Sequence, residues 1–136
     1  MGEQMKTAVS LFAGVGGFDL ALQNAGVKVV ASVEIDKKAQ DVLRRHFPDS
    51  TIFGDITGVT GEQLRAAGFE PTNGIITGGF PCQDYSVAKP KNVSKGLRGP
   101  KGVLWWSIDR LLGVRKPKYV LLENVDRLIN SPAGNR

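Results

Sequence analysis

Cysteine and histidine are nearly missing from this 136-residue chain, which has one of each, Cys82 and His46. A lone thiol cannot close an internal disulfide or build a cysteine-based metal cluster. A disulfide scaffold is therefore excluded, and a reducing, cytoplasmic setting fits. Long apolar runs are missing too. None approaches the roughly 18–20 residues that span a bilayer, so no membrane span is expected. The opening stretch MGEQMKTAV has no long apolar segment and does not read as a secretory signal. Lys6 stands where a myristoylation motif wants Ser or Thr. Acid is in short supply: 13 Asp and Glu face 18 Lys and Arg, for a net charge of +5. That balance rules out an acidic disordered tail and favours a polyanionic partner without choosing which. There is no internal repeat, low-complexity tract or domain linker, and the length suits one domain with its own core.

Glycine, by contrast, is abundant. It fills 17 of 136 positions, where a usual share of about 7% would give about ten. The excess needs local reasons. Thr7–Phe12 is a short apolar run that reads as a buried strand and breaks at Gly14-Val15-Gly16-Gly17. A short helix follows, carrying Phe18, Leu20, Ala21, Leu22 and Ala25, with Gly26 where a helix C-terminus wants glycine. Val27–Val33 is the next strand. Asp36 can cap a helix over Lys37–Phe47, stopped by Pro48. Thr51–Phe53 is a weak third strand, and Thr60 with Gln63 forms a capping-box pattern for a helix ending near Gly68. Gly74–Thr77 reads as a fourth strand, Val103–Val114 as a helix and Tyr119–Glu123 as a fifth strand. Alternating helices and short apolar strands predict an α/β fold, a Rossmann-like, doubly wound, mostly parallel sheet.

Ligands of such sheets bind at the carboxyl ends of the strands. Phe12, Ala13 and the glycines follow strand one, Glu34 and Asp36 strand two, and Asp55 strand three. Pro81-Cys82-Gln83 follows strand four, and Glu123-Asn124 strand five. Glycines at a strand–helix junction let a ligand approach the main chain. A carboxylate about 20 residues on, here Glu34, is placed to accept hydrogen bonds from ribose hydroxyls, and Asp55 could bind an adenine amine. Alone, the glycine pattern is incomplete and also suits a tight structural turn. Cys82 follows Pro81, which stiffens the backbone, and Gly78-Gly79 leaves space in front. A lone cysteine is usually buried and inert, but a thiol presented there suits conjugate addition to an electron-poor ring. Glu123 is either a salt-bridge partner or a carboxyl that shares a proton with a substrate nitrogen, a role that calls for burial. Residues 89–101 carry Lys89, Lys91, Lys95, Arg98 and Lys101 and no acid. They are either a solvated face or a phosphate-binding flap. Trp105 and Trp106 read as core or pocket wall, and His46 needs no catalytic role.

Taken together, Phe12-Ala-Gly-Val-Gly-Gly17, Glu34, Asp55, Gly79-Phe-Pro-Cys-Gln83 and Glu123-Asn-Val125 resemble the DNA cytosine-5 methyltransferase family in order and spacing. The stretch Arg98–Leu112 is similar to that family's segment between the catalytic cysteine and the Glu-Asn-Val strand. The likeness runs from about Thr7 to Gly134. It implies S-adenosylmethionine as cofactor, surrounded by Phe12, Ala13, Gly14, Gly16 and Gly17. Glu34 would hold the ribose and Asp55 with Ile56 would meet the adenine, with Ile35, Pro81 and Leu104 as further pocket members. It implies double-stranded DNA as partner, with the target cytosine flipped out of the stack. Cys82 and Glu123 would be catalytic, and Gln83, Ser86, Arg98 and Asn124 would contact the substrate. No metal is implied.

Family members usually run past about 300 residues and continue into a Gln-x-Arg-x-Arg motif, a target recognition domain and a last helix that completes the cofactor pocket. None of these is in this sequence. Residues 1–136 are therefore expected to be the N-terminal portion of a catalytic domain: a truncation, a fragment or one half of a split enzyme. It would need the rest of the chain or a second chain, and alone would be weakly active or inactive. Three readings compete: an RNA-directed cytosine-5 methyltransferase on the same scaffold, a non-catalytic binding module that pairs with a second chain, and a nicotinamide-dependent oxidoreductase. The target sequence, and a restriction–modification, phage or orphan role, leave no trace.

Overall fold

A computed structural model describes residues 4–79, 102–114 and 116–123, with side chains in the 102–114 segment described from 106 to 113. Five strands form one sheet: β1 (Thr7–Leu11), β2 (Lys28–Val33), β3 (Thr51–Phe53), β4 (Gly74–Gly79) and β5 (Tyr119–Glu123). Their spatial order is β3-β2-β1-β4-β5 and every pairing is parallel. The helices are α1 (Gly17–Asn24), α2 (Lys37–His46), α3 (Gly61–Ala66) and α4 (Gly102–Val114). The doubly wound α/β fold expected from the alternation is present.

Local signals explain most element ends. The Asp36 carboxylate accepts the Ala39 N–H at 2.9 Å and starts α2. Thr60 and Gln63 close a reciprocal capping box at the start of α3, the arrangement their spacing predicts. Gly26, just past α1, has φ 78, a conformation that costs a glycine nothing. Several ends shift by one residue, and β4 shifts by two. β4 runs to Gly79 rather than Thr77, because Gly78 and Gly79 pair with Leu122 and Glu123 of β5.

The two faces are built differently. Val9, Leu11 and Ile76 point to one face, where they cluster with Leu64 of α3 and Ile108 and Leu111 of α4. The other face, under α1, carries a row of hydroxyls. Ser32, Ser10 and Thr77 are register partners across β2, β1 and β4, and all three are fully buried. Ala13 packs with Leu43 of α2 and with Phe47 just past its end. β5 is an edge strand, with Tyr119, Val120 and Leu121 exposed.

The helix α1 contradicts its apolar appearance. Leu20 is 53% exposed, and the residue of α1 that is buried is Asp19. Trp106 is 55% exposed and is not core; the helix turns Ser107, Ile108 and Leu111 inward instead. Among the described residues, no helix is long and apolar enough to cross a membrane.

Candidate functional site

In this strand order the chain leaves β1 toward β2 on one side and returns through β4 on the other. The carboxyl ends of β1 and β4 therefore flank a topological switch point, where open α/β sheets bind ligands. Each residue that leaves a strand end at this edge has a definable environment.

After β1 the backbone takes three left-handed steps, at Phe12 (φ 52), Gly14 (φ 58) and Gly16 (φ 98). Phe12 holds this conformation without being glycine, a local strain of the kind concentrated at binding sites. Gly16 is required twice. Its φ disfavours any side chain, and an added Cβ would lie 2.5 Å from Phe47 Cε2 and 3.1 Å from Leu43 Cδ2. Gly17 has nothing within 4 Å of such a Cβ.

Ser32 and Val33 at the end of β2, with Glu34 immediately after it, hold this loop and the helix behind it. Ser32 Oγ–H donates to Asp19 Oδ2 at 2.5 Å. Ala13 N–H donates to Val33 O at 3.0 Å. Gly14 N–H donates to Glu34 Oε1 at 2.9 Å. The other oxygen of Glu34 accepts Asp36 N–H at 2.8 Å. Each carboxylate oxygen can accept a second bond, so Glu34 retains capacity for a diol while it latches the loop. Gln40 Nε2 donates to Glu34 O and fixes the strand end from α2.

Glu34 N–H donates to Phe53 O at 2.9 Å, so Ile35 and Asp55 emerge from adjacent strand ends. Ile35 is 70% exposed and Val15 65%, two apolar side chains left uncovered at a polar edge. Asp55 Oδ1 accepts the Thr57 N–H at 2.9 Å and the Thr57 hydroxyl at 2.8 Å. The backbone bond first, and then the hydroxyl, hold the Asp55 carboxyl below its ordinary range. Its Oδ2 takes part in neither bond. The turn Ile56–Gly58 behind it is clamped from α4, where Arg110 Nη2 donates to Ile56 O at 3.3 Å and Val59 O at 3.0 Å. Ile56 itself is buried.

At the far side, Glu123 ends β5 beside Gly79. The burial its proton-sharing role called for is not found, since the residue is exposed. Pro81, Cys82, Gln83, Ser86, Arg98 and Asn124 lie outside the described residues, as does the basic stretch 89–101; Leu104 lies on α4 with its side chain undescribed. The structure thus brings together Phe12, Ala13, Gly14, Gly16, Gly17, Glu34, Ile35, Asp55 and Ile56 along one edge, with Glu123 at the end of the neighbouring strands. Three contributors escaped the sequence reading: Asp19, Ser32 and Arg110. Among the described residues no group of His, Cys, Asp and Glu is arranged to hold a metal. A separate cleft of about 380 Å³, lined by Lys28, His46 and Asp49 among others, opens at the opposite, amino-terminal edge of the sheet, away from these groups.

These groups line the carboxyl edge of the sheet around the switch point between β1 and β4. Comparison with known proteins gives the chain a lineage. Residues 6–136 match the family described as C-5 cytosine-specific DNA methylase. The chain belongs to that family. It is 37% identical over 109 residues to the Type II methyltransferase M.HgiBI of Herpetosiphon aurantiacus, covering 78% of this chain and 22% of that protein. It is 38% identical over 104 residues to the Type II methyltransferase M.HhaI of Haemophilus parahaemolyticus, covering 76% of this chain and 29% of that one. Among solved structures, an E. coli prophage protein assigned as a DNA modification methyltransferase superposes with TM-score 0.77 and 27% identity. That match covers 97% of this chain and 35% of the other. This methylase chain therefore spans about a fifth to two-fifths of the length of the curated relatives it matches. Family membership removes the nicotinamide-dependent oxidoreductase from the competing readings.

Proposed function

We propose that this chain carries the cofactor-binding and nucleophile-bearing N-terminal portion of an enzyme that methylates C5 of cytosine in double-stranded DNA. The observation that carries the reading is the switch-point edge itself. There the glycine loop, Glu34 and Asp55 stand at neighbouring strand ends, in a chain of the cytosine-5 methylase family.

The residues present fit S-adenosylmethionine. Gly14 and Gly16 bring bare backbone to the edge, Glu34 keeps free acceptor sites for a ribose diol, and Asp55 Oδ2 is free for an amine. Ile35 and Val15 offer uncovered apolar surface for a purine. When bound, that cofactor supplies an electrophilic methyl group.

The chain's own residues then prepare the acceptor. A stacked cytosine is out of reach, so the base is flipped toward the edge. The Cys82 thiolate adds to C6, and the electron pair of the 5,6 bond moves to C5, which becomes nucleophilic. Glu123 hydrogen-bonds N3, where the companion charge develops. After C5 has been alkylated, its proton leaves, the 5,6 bond re-forms and the thiolate departs. Gln83, Ser86, Arg98 and Asn124 are assigned to substrate contacts, Pro81 and Leu104 to the pocket wall, and the basic stretch 89–101 to phosphates.

The exposed apolar edge of β5 is where the rest of the enzyme, in the same polypeptide or a second one, would continue the sheet. DNA as substrate makes the cytoplasm the expected compartment. The deciding experiment supplies DNA carrying 5-fluorocytosine and S-adenosylmethionine to the chain joined with the remainder of its enzyme. A covalent adduct mapped to Cys82 is expected, and an active enzyme whose activity survives Cys82→Ala would overturn the reading. The isolated chain should transfer little or no tritiated methyl.

A further inference from the structure

Asp19 is fully buried. Its Oδ2 accepts a hydrogen bond from the Ser32 hydroxyl, while Oδ1 has no partner among the described residues. A buried carboxylate costs more than an apolar side chain of similar volume, so its presence in the first turn of an otherwise apolar helix needs a reason.

The packing of α1 supplies one. Asp19 is its only fully buried residue, and Phe18 and Leu22 are half-buried. The large apolar side chains of α1 are thus only partly enclosed, Phe18 lying beside Gly79 of β4. Among the described residues, the neighbouring buried hydroxyls of Ser10 and Thr77 have no hydrogen-bond partner. Among those residues the Asp19–Ser32 bond is therefore the side-chain hydrogen bond that ties α1 to the sheet, and the helix dipole favours its acidic end in that first turn. The N-terminus of α1 is also the end of the glycine loop, Gly16 being its N-cap. Ser32 lies two residues before Glu34 on the same strand, and Glu34 holds Gly14. A displacement of α1 thus moves Gly16 and Gly17 directly and strains the Gly14–Glu34 bond.

We infer that Asp19 is a positioning residue: through Ser32 it sets α1, and through α1 the nucleoside-binding loop Gly14–Gly17. The effect on ligand affinity rests on the cofactor reading above, whereas the effect on the loop does not.

The test uses the whole chain and four variants. Asp19→Leu fills the volume without accepting a bond, Asp19→Asn keeps an acceptor for Ser32, Ser32→Ala removes the donor, and Thr77→Val alters an unbonded hydroxyl on the same face. Readouts are hydrogen exchange at the Gly14 amide, exchange of the slowest core amides, and calorimetric affinity for S-adenosylmethionine. In Asp19→Leu and Ser32→Ala, Gly14 exchange should accelerate by about tenfold or more while the core amides hold, with affinity weakened to a similar degree. Asp19→Asn should restore both, and Thr77→Val should change neither. Should Asp19→Leu leave Gly14 exchange unaltered, or should Gly14 and the core amides accelerate together in both Asp19→Leu and Ser32→Ala, the positioning role is overturned. If the unaltered chain binds no S-adenosylmethionine, the cofactor reading fails, and the exchange results still decide the latch.

Discussion

The carboxylate of Glu123 leans over the neighbouring strand at Gly79, so that a Cβ added to Gly79 would come within 3.1 Å of Glu123 Oε2. The same atom would lie 3.8 Å from Phe18 Cε2 on α1. Gly79 has an ordinary φ, so the backbone does not demand glycine there; the space beside the carboxylate does. The catalytic candidate of β5 is thereby held close to the end of β4, immediately before the segment that carries Cys82.

Gly79→Ala should therefore separate activity from stability. The exposed Glu123 side chain can swing aside, and the midpoint of thermal unfolding should move by no more than about 2 °C. The carboxylate would then no longer rest where N3 of the base needs it. Since a misplacement of about 1 Å can cost about 100-fold in rate, kcat of the assembled enzyme should fall by about tenfold or more. A rate equal to that of the unaltered enzyme would mean that Glu123 acts from another position.

The glycines of the first loop should differ in their tolerance. Gly16→Ala forces a side chain into left-handed backbone, at roughly 1–2 kcal/mol, and against Phe47 Cε2 at 2.5 Å. Overpacking of this kind adds about 1–3 kcal/mol. Gly17→Ala meets nothing within 4 Å and places a better helix former at the first helical position, so it should be neutral or slightly stabilising. Urea unfolding of both variants checks the contrast, and equal effects would contradict it.

Much of this architecture was legible because each strand is bounded by its own turn chemistry. Asp36, the Thr60–Gln63 box and Gly26 each act within a few residues, so periodicity and capping rules found them. The misses are all tertiary. Gly78 and Gly79 look like a loop until β5 pairs with them. Asp19 looks like a surface charge until Ser32 is seen beneath it, since an eight-residue helix that is apolar nearly all round does not announce its inner face. The exposure of Glu123 and Trp106 depends on what packs over the sheet, and neither side chain's neighbours can be read from its own segment. Arg110 reaches carbonyls more than 50 residues away, a contact with no local signature.

The pH response of the Asp55 turn follows from its depressed carboxyl. A folded-state pKa below the unfolded one gives stability that is complete above the unfolded value and lost as pH falls through the folded value. The turn should therefore hold throughout the neutral range and loosen only at pH values below the ordinary carboxylate value of 3.8. Thr57→Ala removes the hydroxyl bond, the smaller of the two lowering causes, and keeps the backbone N–H. The Asp55 titration followed by carboxyl NMR should rise part of the way toward 3.8 without reaching it. A titration that does not move would assign the whole effect to the backbone bond.

Arg110 offers a test of how the turn behind Asp55 is held. Its Nη2 donates to both Ile56 O and Val59 O, closing the turn behind Asp55 from α4, which packs against the same face of the sheet as that turn. Arg110→Met keeps the apolar stem but loses both bonds and should cost about 1 kcal/mol of stability. Arg110→Lys should recover much of this, because both bonds come from the single nitrogen Nη2 and an ammonium also carries several donors on one nitrogen. If the clamp acts on ligand binding through Asp55, Arg110→Met should weaken S-adenosylmethionine several-fold in the unaltered background. It should weaken it little further once Asp55→Ala is present, and this coupling is what a double-mutant cycle measures. Strictly additive losses would mean that Arg110 stabilises the fold and leaves the position of Asp55 unaffected.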